Sequence, residues 1–308
     1  MASVTVDHIV KMYDTKKNLI TALRDVSFRV EKGELFGIIG PDGAGKTSLF
    51  RILTTLLLPD KGSATVDGFD VVKDYKNIRN RVGYMPGRFS LYQDLTVEEN
   101  LSFFATIFNT TIHQNYEMVK EIYSQIEPFK NRRAGKLSGG MKQKLALSCA
   151  LIHKPSVLFL DEPTTGVDAV SRKEFWDMLK KLQQQGITIL VSTPYMDEAE
   201  LCDRVALIQN GEIMKVHTPT AIIDQFGKKI WAVKADNMSG LLHFWLAQPG
   251  TESCYAFGEY LHLIMKDDHY NTEKLEQVMK QQDFKNIQVH KAKPNIEDCF
   301  MALMRRKE

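Results

Sequence analysis

The residues with the clearest chemical pattern form one continuous run, Gly40-Pro41-Asp42-Gly43-Ala44-Gly45-Lys46-Thr47, which Ser48 follows. Its spacing of Gly, four residues and Gly-Lys-Thr is typical of a phosphate-binding loop. Glycines let backbone N–H groups surround a polyphosphate, while Lys46 would reach the terminal phosphates and the Thr47 hydroxyl would bind Mg²⁺. The alternative is a glycine-rich turn that caps a helix. It is disfavoured because a chance match in a chain of this length has odds of about one in a hundred.

Two later runs carry groups that suit the same chemistry. Leu137-Ser138-Gly139-Gly140 opens a predicted helix through residue 152, and its uncovered N–H groups form a second anion-binding terminus. The apolar run at residues 157–160 predicts a buried strand that delivers Asp161 and Glu162 at its carboxyl end, where ligands bind in open parallel sheets. Gly166-Val167-Asp168 then predicts a loop.

The elements that must position these residues alternate between strand and helix. This alternation predicts an α/β domain with a mainly parallel core sheet. Strands predicted at residues 4–10, 23–30 and 63–67 would form an antiparallel N-terminal sheet, and the connection between the first two carries Tyr13. A capping-box pattern from Thr96 to Glu99 opens a block of helices, whose second helix is predicted at 116–126, and we predict a helical subdomain at about residues 88–155. Outside that block, strands are predicted at 35–39, 81–85, 187–192 and 205–209, and a helix at 172–185.

The pattern changes after residue 227. From there the order of predicted elements is strand, helix, strand, strand, helix, strand. This is the split β-α-β-β-α-β unit, so we predict a first domain at 1–227 and a small, ferredoxin-like α+β domain at 228–308. A last helix is predicted at 295–304, and the basic residues 305–307 are expected to be a solvated end.

Composition limits the class of partner. The chain has 308 residues, and its 40 basic and 38 acidic residues leave a net charge of +2 without a long run of one sign, so no nucleic-acid partner is expected. The four cysteines fit no metal-ligand spacing and predict reduced thiols in a cytosolic protein. No leader pattern or apolar run of membrane-spanning length occurs, so a membrane link is expected through another protein.

Phe89, Leu91 and Tyr92 form an apolar cluster in a segment that otherwise predicts a loop. Two interpretations stay open for this cluster. Its side chains could fold back into the core, or they could form a docking surface.

Four stretches together resemble a known family: GPDGAGKT, LSGGMKQK, VLFLDEPTTGVD and VSTPYMDEAE, in that order. Over about residues 4–226 the chain resembles the ATP-binding cassette of ABC transporters. The linking pieces and residues 296–300 resemble the ATPase subunits of ABC-2 type exporters for drugs, lipids or polysaccharides. The resemblance implies a P-loop NTPase fold, ATP and Mg²⁺ as ligands, and a head-to-tail dimer with a second cassette. It also implies an integral membrane permease subunit and a cytoplasmic, peripheral location on the inner face of the cell membrane.

The resemblance also implies a role for each matching residue. Lys46 and Glu162 would be catalytic, Glu162 as the general base, and Thr47 and Asp161 would hold Mg²⁺. Tyr13 would stack on the base, and Asp168 belongs to the loop that crosses to the partner. The nucleotide-binding set is Tyr13, Gly40, Pro41, Asp42, Gly43, Ala44, Gly45, Lys46, Thr47, Ser48, Ser138, Gly139, Gly140 and Asp168.

Three positions depart from the family pattern. Gly87 stands where a Gln normally contacts Mg²⁺ and the attacking water, and Pro194 stands where a His normally contacts the γ-phosphate. Neither side chain can donate a hydrogen bond, so two transition-state contacts are missing. Asp42, where Asn is usual, is a milder change.

These observations predict an ATP-hydrolysing subunit of an ABC-2 type exporter, either as the slow, catalytically weak member of an asymmetric pair or in an active homodimer that tolerates Gly87 and Pro194. The alternatives are a non-transport ABC protein and a regulatory ATP-binding module. A non-transport ABC protein usually carries two cassettes or a coiled-coil insertion, and this sequence shows one cassette and no such insertion. The presence of Glu162 argues against a regulatory module.

Overall fold

The computed structural model describes residues 2–14, 18–267 and 269–305, and the predicted basic tail lies mostly outside them. The chain divides into two compact units, Met1–Pro219 and Thr220–Glu308. The division falls shortly before the boundary predicted after residue 227, within a short helix at Pro219–Asp224 that the sequence analysis did not predict.

Among the described residues, the first unit contains ten strands, six complete α-helices and three short 3₁₀ helices. The strands are β1 (Ala2–Asp14), β2 (Leu19–Glu31), β3 (Leu35–Ile39), β4 (Lys61–Val66), β5 (Phe69–Asp70), β6 (Val82–Met85), β7 (Val157–Asp161), β8 (Thr188–Thr193), β9 (Arg204–Gln209) and β10 (Glu212–His217). The helices are α1 (Lys46–Leu53), α2 (Tyr75–Arg79), α3 (Val97–Ile107), α4 (Ile112–Tyr123), α5 (Gly139–Leu151) and α6 (Ala169–Gln184).

Six strands form the core sheet, in the order β10-β9-β3-β8-β7-β6. All neighbouring pairs are parallel except β9 and β10, so the prediction of a mainly parallel sheet is confirmed. Strands β3, β7 and β8 are buried along their whole length, which explains their continuous apolar sequences. Because parallel strands end at the same edge, the residues after β3, β7 and β8 lie close together.

The N-terminal sheet has the order β2-β1-β4-β5, and its pairs are antiparallel, as predicted. Strands β1 and β2 are longer than their apolar patterns indicated. Tyr13 was expected in the connection between them, but it lies within β1 and pairs with Ile20. That placement was wrong because main-chain pairing continues past the buried positions, through several register shifts that the alternation of side chains does not reveal.

Helices α3, α4 and α5 form the block that the sequence predicted between the strands β6 and β7. The predicted capping box at α3 is present: Thr96 Oγ1 accepts from the Glu99 backbone at 3.2 Å, and Glu99 Oε2 accepts from the Thr96 backbone at 2.7 Å. Helix α4 begins at Ile112, earlier than the predicted residue 116, because Thr111 and Gln114 form a second capping box.

The second unit has the β-α-β-β-α-β order that was predicted. Its elements are α7 (Pro219–Asp224, at the division), β11 (Ile230–Lys234), α8 (Met238–Ala247), β12 (Thr251–Phe257), β13 (Tyr260–Met265), α9 (Thr272–Lys280), β14 (Gln288–Ala292) and α10 (Ile296–Arg305). The antiparallel sheet order is β12-β13-β11-β14. Leu263 and Trp245 belong to the core on one face. On the other face Asp298 of α10, which is fully buried, accepts from the Tyr255 hydroxyl and pairs with His262 Nδ1, each at 2.6 Å.

None of the helices in the described ranges combines the length and the apolar character that crossing a bilayer requires.

Candidate functional site

Lys46 is the centre of the phosphate loop. Its side chain is only 2% exposed, and its Nζ donates to the carbonyl oxygens of Gly40 at 2.8 Å and Pro41 at 3.0 Å. At position 45, immediately before Lys46, the backbone has φ of 102°, and a Cβ there would lie 2.4 Å from the carbonyl oxygen of Ala22. Only glycine fits that position, which lets the loop turn tightly into α1.

The two carboxylates lie beside the lysine. Asp161, 2% exposed, ends β7 and accepts a hydrogen bond from Ser192 Oγ of β8 at 2.5 Å. Glu162 Oε1 lies 3.2 Å from Lys46 Nζ. Glu162 adopts a left-handed backbone with φ of 49°, and its N–H donates to the Ser192 carbonyl at 3.0 Å. This unusual conformation turns Glu162 out of the strand direction, toward the loop.

Sequence reasoning missed Ser192. It sits opposite Asp161 in the parallel pairing of β7 and β8, and it binds both the Asp161 side chain and the Glu162 backbone. A serine at the end of a buried strand was the only available signal. The order of the strands in the sheet was needed to place it beside the carboxylates.

Tyr13 lies at the other side of the loop. Its hydroxyl and Ser48 Oγ are 3.0 Å apart, so the half-buried ring is tied to the first turn of α1. Thr47, also half-buried, occupies the same turn. The predicted residues Tyr13, Lys46, Thr47 and Ser48 therefore lie together at the first turn of α1, where their roles in binding a nucleotide remain predictions.

Ser138, Gly140 and Asp168 form a second group. Ser138 caps α5 by accepting from the Met141 backbone at 3.3 Å, and a Cβ at position 140 would lie 2.8 Å from Ser171 Oγ. Asp168 accepts from the backbone N–H groups of Ser171 at 3.0 Å and Val170 at 3.1 Å, and these hydrogen bonds lower the pKa of its carboxyl. Because Asp168 caps it, α6 begins at residue 169, before the predicted residue 172. Ser138 and Asp168 are both exposed.

The two substituted positions lie at the edge that carries the carboxylates. A Cβ at Gly87 would lie 3.6 Å from the Glu162 Cβ and 3.1 Å from the Asp161 carbonyl oxygen. Pro194 follows Thr193, whose carbonyl oxygen accepts from the Gly40 backbone at 3.2 Å. Both departures from the family pattern thus fall where a longer polar side chain could reach the phosphate loop.

A groove lies between the core sheet and the helical block. It encloses about 430 Å³ and is lined by residues that include Leu56, Met85, Pro86, Leu91, Phe104, Ile107 and His153. The His153 ring stacks on Phe108 with 3.8 Å between ring centroids, and burial lowers the pKa of His153. Pro86 directly precedes Gly87, so the groove adjoins the region of the carboxylates.

In the apolar cluster at residues 89–92, one residue fits the interpretation of a core position and another fits that of a surface position. Leu91 is 8% exposed and packs into the groove wall, whereas Tyr92 is 51% exposed. The Tyr92 ring meets Phe103 edge to face at 4.9 Å, and the buried Asn100 fixes the loop by bonding to both the N–H and the carbonyl of Tyr92. Leu91 therefore belongs to the interior, and Tyr92 remains available at the surface.

A buried lysine where a loop joins a parallel strand to a helix, with carboxylates at the end of a neighbouring strand, is the arrangement of a P-loop nucleotide-binding fold. Residues 23–165 match the family model described as ABC transporter. The chain is 38% identical to the ABC transporter ATP-binding protein NatA of Bacillus subtilis (strain 168) over 215 residues, which cover 68% of this chain and 87% of NatA. It therefore belongs to the family of ABC transporter ATP-binding proteins, and the family prediction is confirmed.

Two further comparisons agree with this assignment. The probable multidrug ABC transporter ATP-binding protein YbhF of Escherichia coli (strain K12) is 38% identical over 287 residues, which cover 92% of this chain and 49% of YbhF. The chain thus spans about half the length of that relative. A dimeric, post-hydrolysis structure of the ATP-binding cassette MJ0796 with ADP and Pi matches with a TM-score of 0.64 and 26% identity, over 70% of this chain and 98% of that cassette.

Proposed function

We propose that the chain binds ATP with Mg²⁺ and hydrolyses it to drive export through an ABC-2 type complex. The observation that carries this proposal is the contact of Lys46 with Glu162 at 3.2 Å, beside the buried Asp161. This contact places the positive charge of Lys46, which suits phosphates, next to the carboxylate of Glu162, which can accept a proton. The relatives' names, a probable multidrug transporter protein and NatA, support the assignment to transport. Replacement of Lys46, described in the Discussion, tests the ATP site.

The chemistry follows from the residues present. A water oxygen would bond to the γ-phosphorus as the bond to the β–γ bridging oxygen breaks, and Glu162 would accept the water proton, leaving ADP and inorganic phosphate. Lys46 would bind the γ-phosphate, and because Lys46 now pairs with Glu162, that exchange would free the carboxylate to act as a base. Thr47 and Asp161 offer the hydroxyl and carboxylate oxygens that Mg²⁺ prefers, and the ion would neutralise phosphate charge.

We also propose that the chain works in a head-to-tail pair with a second cassette. Ser138 and Asp168 are exposed at their helix N-termini, where a partner's nucleotide could reach them. Gly87 and Pro194 weaken this chain's own site, whereas the signature run from Leu137 to Gly140 is complete. This supports an asymmetric pair, in which the chain holds ATP at its own phosphate loop while its signature helix completes the partner's site.

The asymmetric pair predicts opposite effects of two substitutions. The isolated chain should hydrolyse ATP weakly, because losing one preorganised transition-state contact costs about 10² to 10³ in rate. In the complex isolated with its partner cassette, Ser138→Arg should abolish turnover, since it fills the partner's nucleotide site, while Glu162→Gln should spare much of it. Phosphate release from both preparations is the measurement. Fast hydrolysis by the isolated chain that Glu162→Gln abolishes would instead establish an active homodimer.

We further propose that the groove receives a helical segment of an integral membrane permease subunit, which would hold the chain at the cytoplasmic face of the membrane. Its apolar lining and volume suit a short amphipathic helix. The exposed Leu56 and Ile107, at 57% and 53%, lie at its margin. Pro86 lines the groove, and the next residue, Gly87, adjoins Glu162. A backbone displacement caused by the docked helix would therefore reach the ATP site.

Charged residues in the groove should therefore detach the protein from membranes. Leu56→Glu combined with Ile107→Glu is expected to lower the membrane-bound fraction by about tenfold, because a docked helix would bury both apolar side chains and charged residues there would have to be desolvated. ATP affinity should not change. Val72→Glu is the matched control, since Val72 is an exposed apolar residue, 46% accessible, outside the groove lining. Retention of the double variant on membranes would place the docking surface elsewhere.

A further inference from the structure

A buried glutamate outside the phosphate loop touches two of the segments that the site depends on. Glu198 is 1% exposed and lies in the short 3₁₀ helix Met196–Leu201, which follows β8. We call residues 194–198 the post-β8 segment and residues 162–168 the carboxylate loop. Burying an ionised carboxylate costs free energy unless hydrogen bonds and an opposite charge compensate it. The partners of Glu198 therefore indicate its structural role.

The closest partner belongs to the carboxylate loop. Thr164 Oγ1 donates to Glu198 Oε1 at 2.7 Å, and Thr164 is itself 1% exposed. Thr164 lies two residues after Glu162 and four before Asp168 in the sequence. Because this hydrogen bond is buried on both sides, it fixes the middle of the carboxylate loop against the post-β8 segment, and breaking it would leave a buried polar group without its partner.

The second partner comes from the first turn of α6. Arg172 Nε lies 3.7 Å from Glu198 Oε1, and the guanidinium stacks over the Tyr195 ring at 4.5 Å. Its Nη1 also donates to Asp197 Oδ2 at 3.3 Å. Arg172 therefore contacts three residues of the post-β8 segment and ties the helix that Asp168 caps to that same segment.

We propose that Glu198 is a positioning residue for ATP hydrolysis, an inference that rests on the function proposed above. Through Thr164 and Arg172 it holds the carboxylate loop against the post-β8 segment. The two ends of that loop are the general base and the residue facing the partner cassette. Since Pro194 supplies no side-chain donor to the site, the buried carboxylate is the group through which the post-β8 segment acts on the reaction.

Variants of Glu198 and Thr164 should separate turnover from ATP affinity. Glu198→Ala and Thr164→Val are expected to lower kcat by about 10- to 100-fold, because a base displaced by about 1 Å can cost 10²-fold. The dissociation constant for a fluorescent ATP analogue should stay within about threefold, since Lys46 and its loop are untouched. Glu198→Gln keeps an oxygen that can accept from Thr164, so it should recover part of the loss.

Hydrogen exchange supplies a readout that does not need turnover. In the whole chain of 308 residues, the amides within residues 163–172, to which Pro163 contributes none, should exchange about tenfold faster in Glu198→Ala and Thr164→Val than in the wild type, while those of α1 should not. The matched control is Glu34→Gln. Glu34 is 8% exposed and pairs with Arg204 at 3.2 Å. This pair lies at the amino-terminal ends of β3 and β9, whereas the carboxylates lie at the carboxyl end of β7. This control should lower the melting temperature without changing kcat per folded molecule or exchange at 163–172.

Two outcomes distinguish a failure of the inference about Glu198 from a failure of the proposed function. If Glu198→Ala and Glu198→Gln behave like Glu34→Gln, with lower stability and unchanged exchange in the carboxylate loop, Glu198 is an ordinary structural residue and the inference is overturned. If the wild type fails to bind the ATP analogue, the proposed function is wrong, and the exchange of residues 163–172 still decides whether Glu198 positions the loop.

Discussion

Lys46→Ala is expected to weaken ATP binding by at least about 25-fold. Removing one partner of a desolvated charge contact typically costs about 2–5 kcal/mol, and each 1.4 kcal/mol is tenfold in affinity. The 2% exposure of the Lys46 side chain places its charge in such a desolvated setting. Titration of wild type and variant with a fluorescent ATP analogue measures the change directly.

Lys46 also bonds to two loop carbonyls, so a change in loop shape must be separated from a loss of charge. Lys46→Met keeps most of the volume of the side chain but loses the charge together with the N–H donors, so it separates an emptied site from a missing ammonium group, and it should lose affinity to a similar degree. Lys32→Ala, at an exposed turn between β2 and β3, serves as the control with unchanged affinity. Thermal unfolding confirms that each variant is folded. If Lys46→Ala binds ATP as tightly as the wild type, the phosphate-loop assignment fails.

Gly87→Gln combined with Pro194→His is expected to raise the ATPase rate of the isolated chain by about 100-fold or more. Each substitution restores a side chain that can donate or accept at the site, and a single preorganised contact is worth about 10² to 10³ in rate. The new Cβ at position 87 would lie 3.1 Å from the Asp161 carbonyl oxygen and 3.6 Å from the Glu162 Cβ, so a backbone shift of a few tenths of an ångström is needed to accept it. Steady-state phosphate release is the measurement.

Two controls make the gain interpretable. Adding Glu162→Gln to the double variant should abolish the new activity, since the restored contacts assist a reaction that still needs the base. Each single variant should show a smaller gain than the pair. An unchanged rate in a folded double variant would mean that Gly87 and Pro194 are not what limits turnover, and the case for an asymmetric pair would lose its main support.

Local spacing was sufficient to predict the parts of the site that lie in one short stretch. Lys46 and its loop, and the pair Asp161 and Glu162, follow from motif and strand pattern. Ser192 and Glu198 could not be predicted, because their roles depend on which strands are neighbours and on a contact between segments about 30 residues apart. Tyr13 shows the same limit, since its strand extends by pairing with β2 and not by its own apolar pattern.

The overall architecture was more predictable than element ends. Continuous apolar runs identify β3, β7 and β8 because both faces of these strands are covered, and the β-α-β-β-α-β order identifies the second unit. Helix starts were less predictable. Asp168 and Thr111 each move a helix start to an earlier residue by capping, and a capping residue counts only if the chain around it turns into a helix.

The contacts of Asp298 have a consequence for the order in which the second unit can form during synthesis. The four strands of its sheet are all made before residue 298, so Tyr255 and His262 can reach their places in β12 and β13 while their common acceptor is still missing. Until α10 arrives, that face of the sheet carries a hydroxyl and an imidazole with water as their partner in place of Asp298. One face of the nascent sheet therefore stays hydrated, and the packing of α10 with Asp298 is the step that excludes water from it.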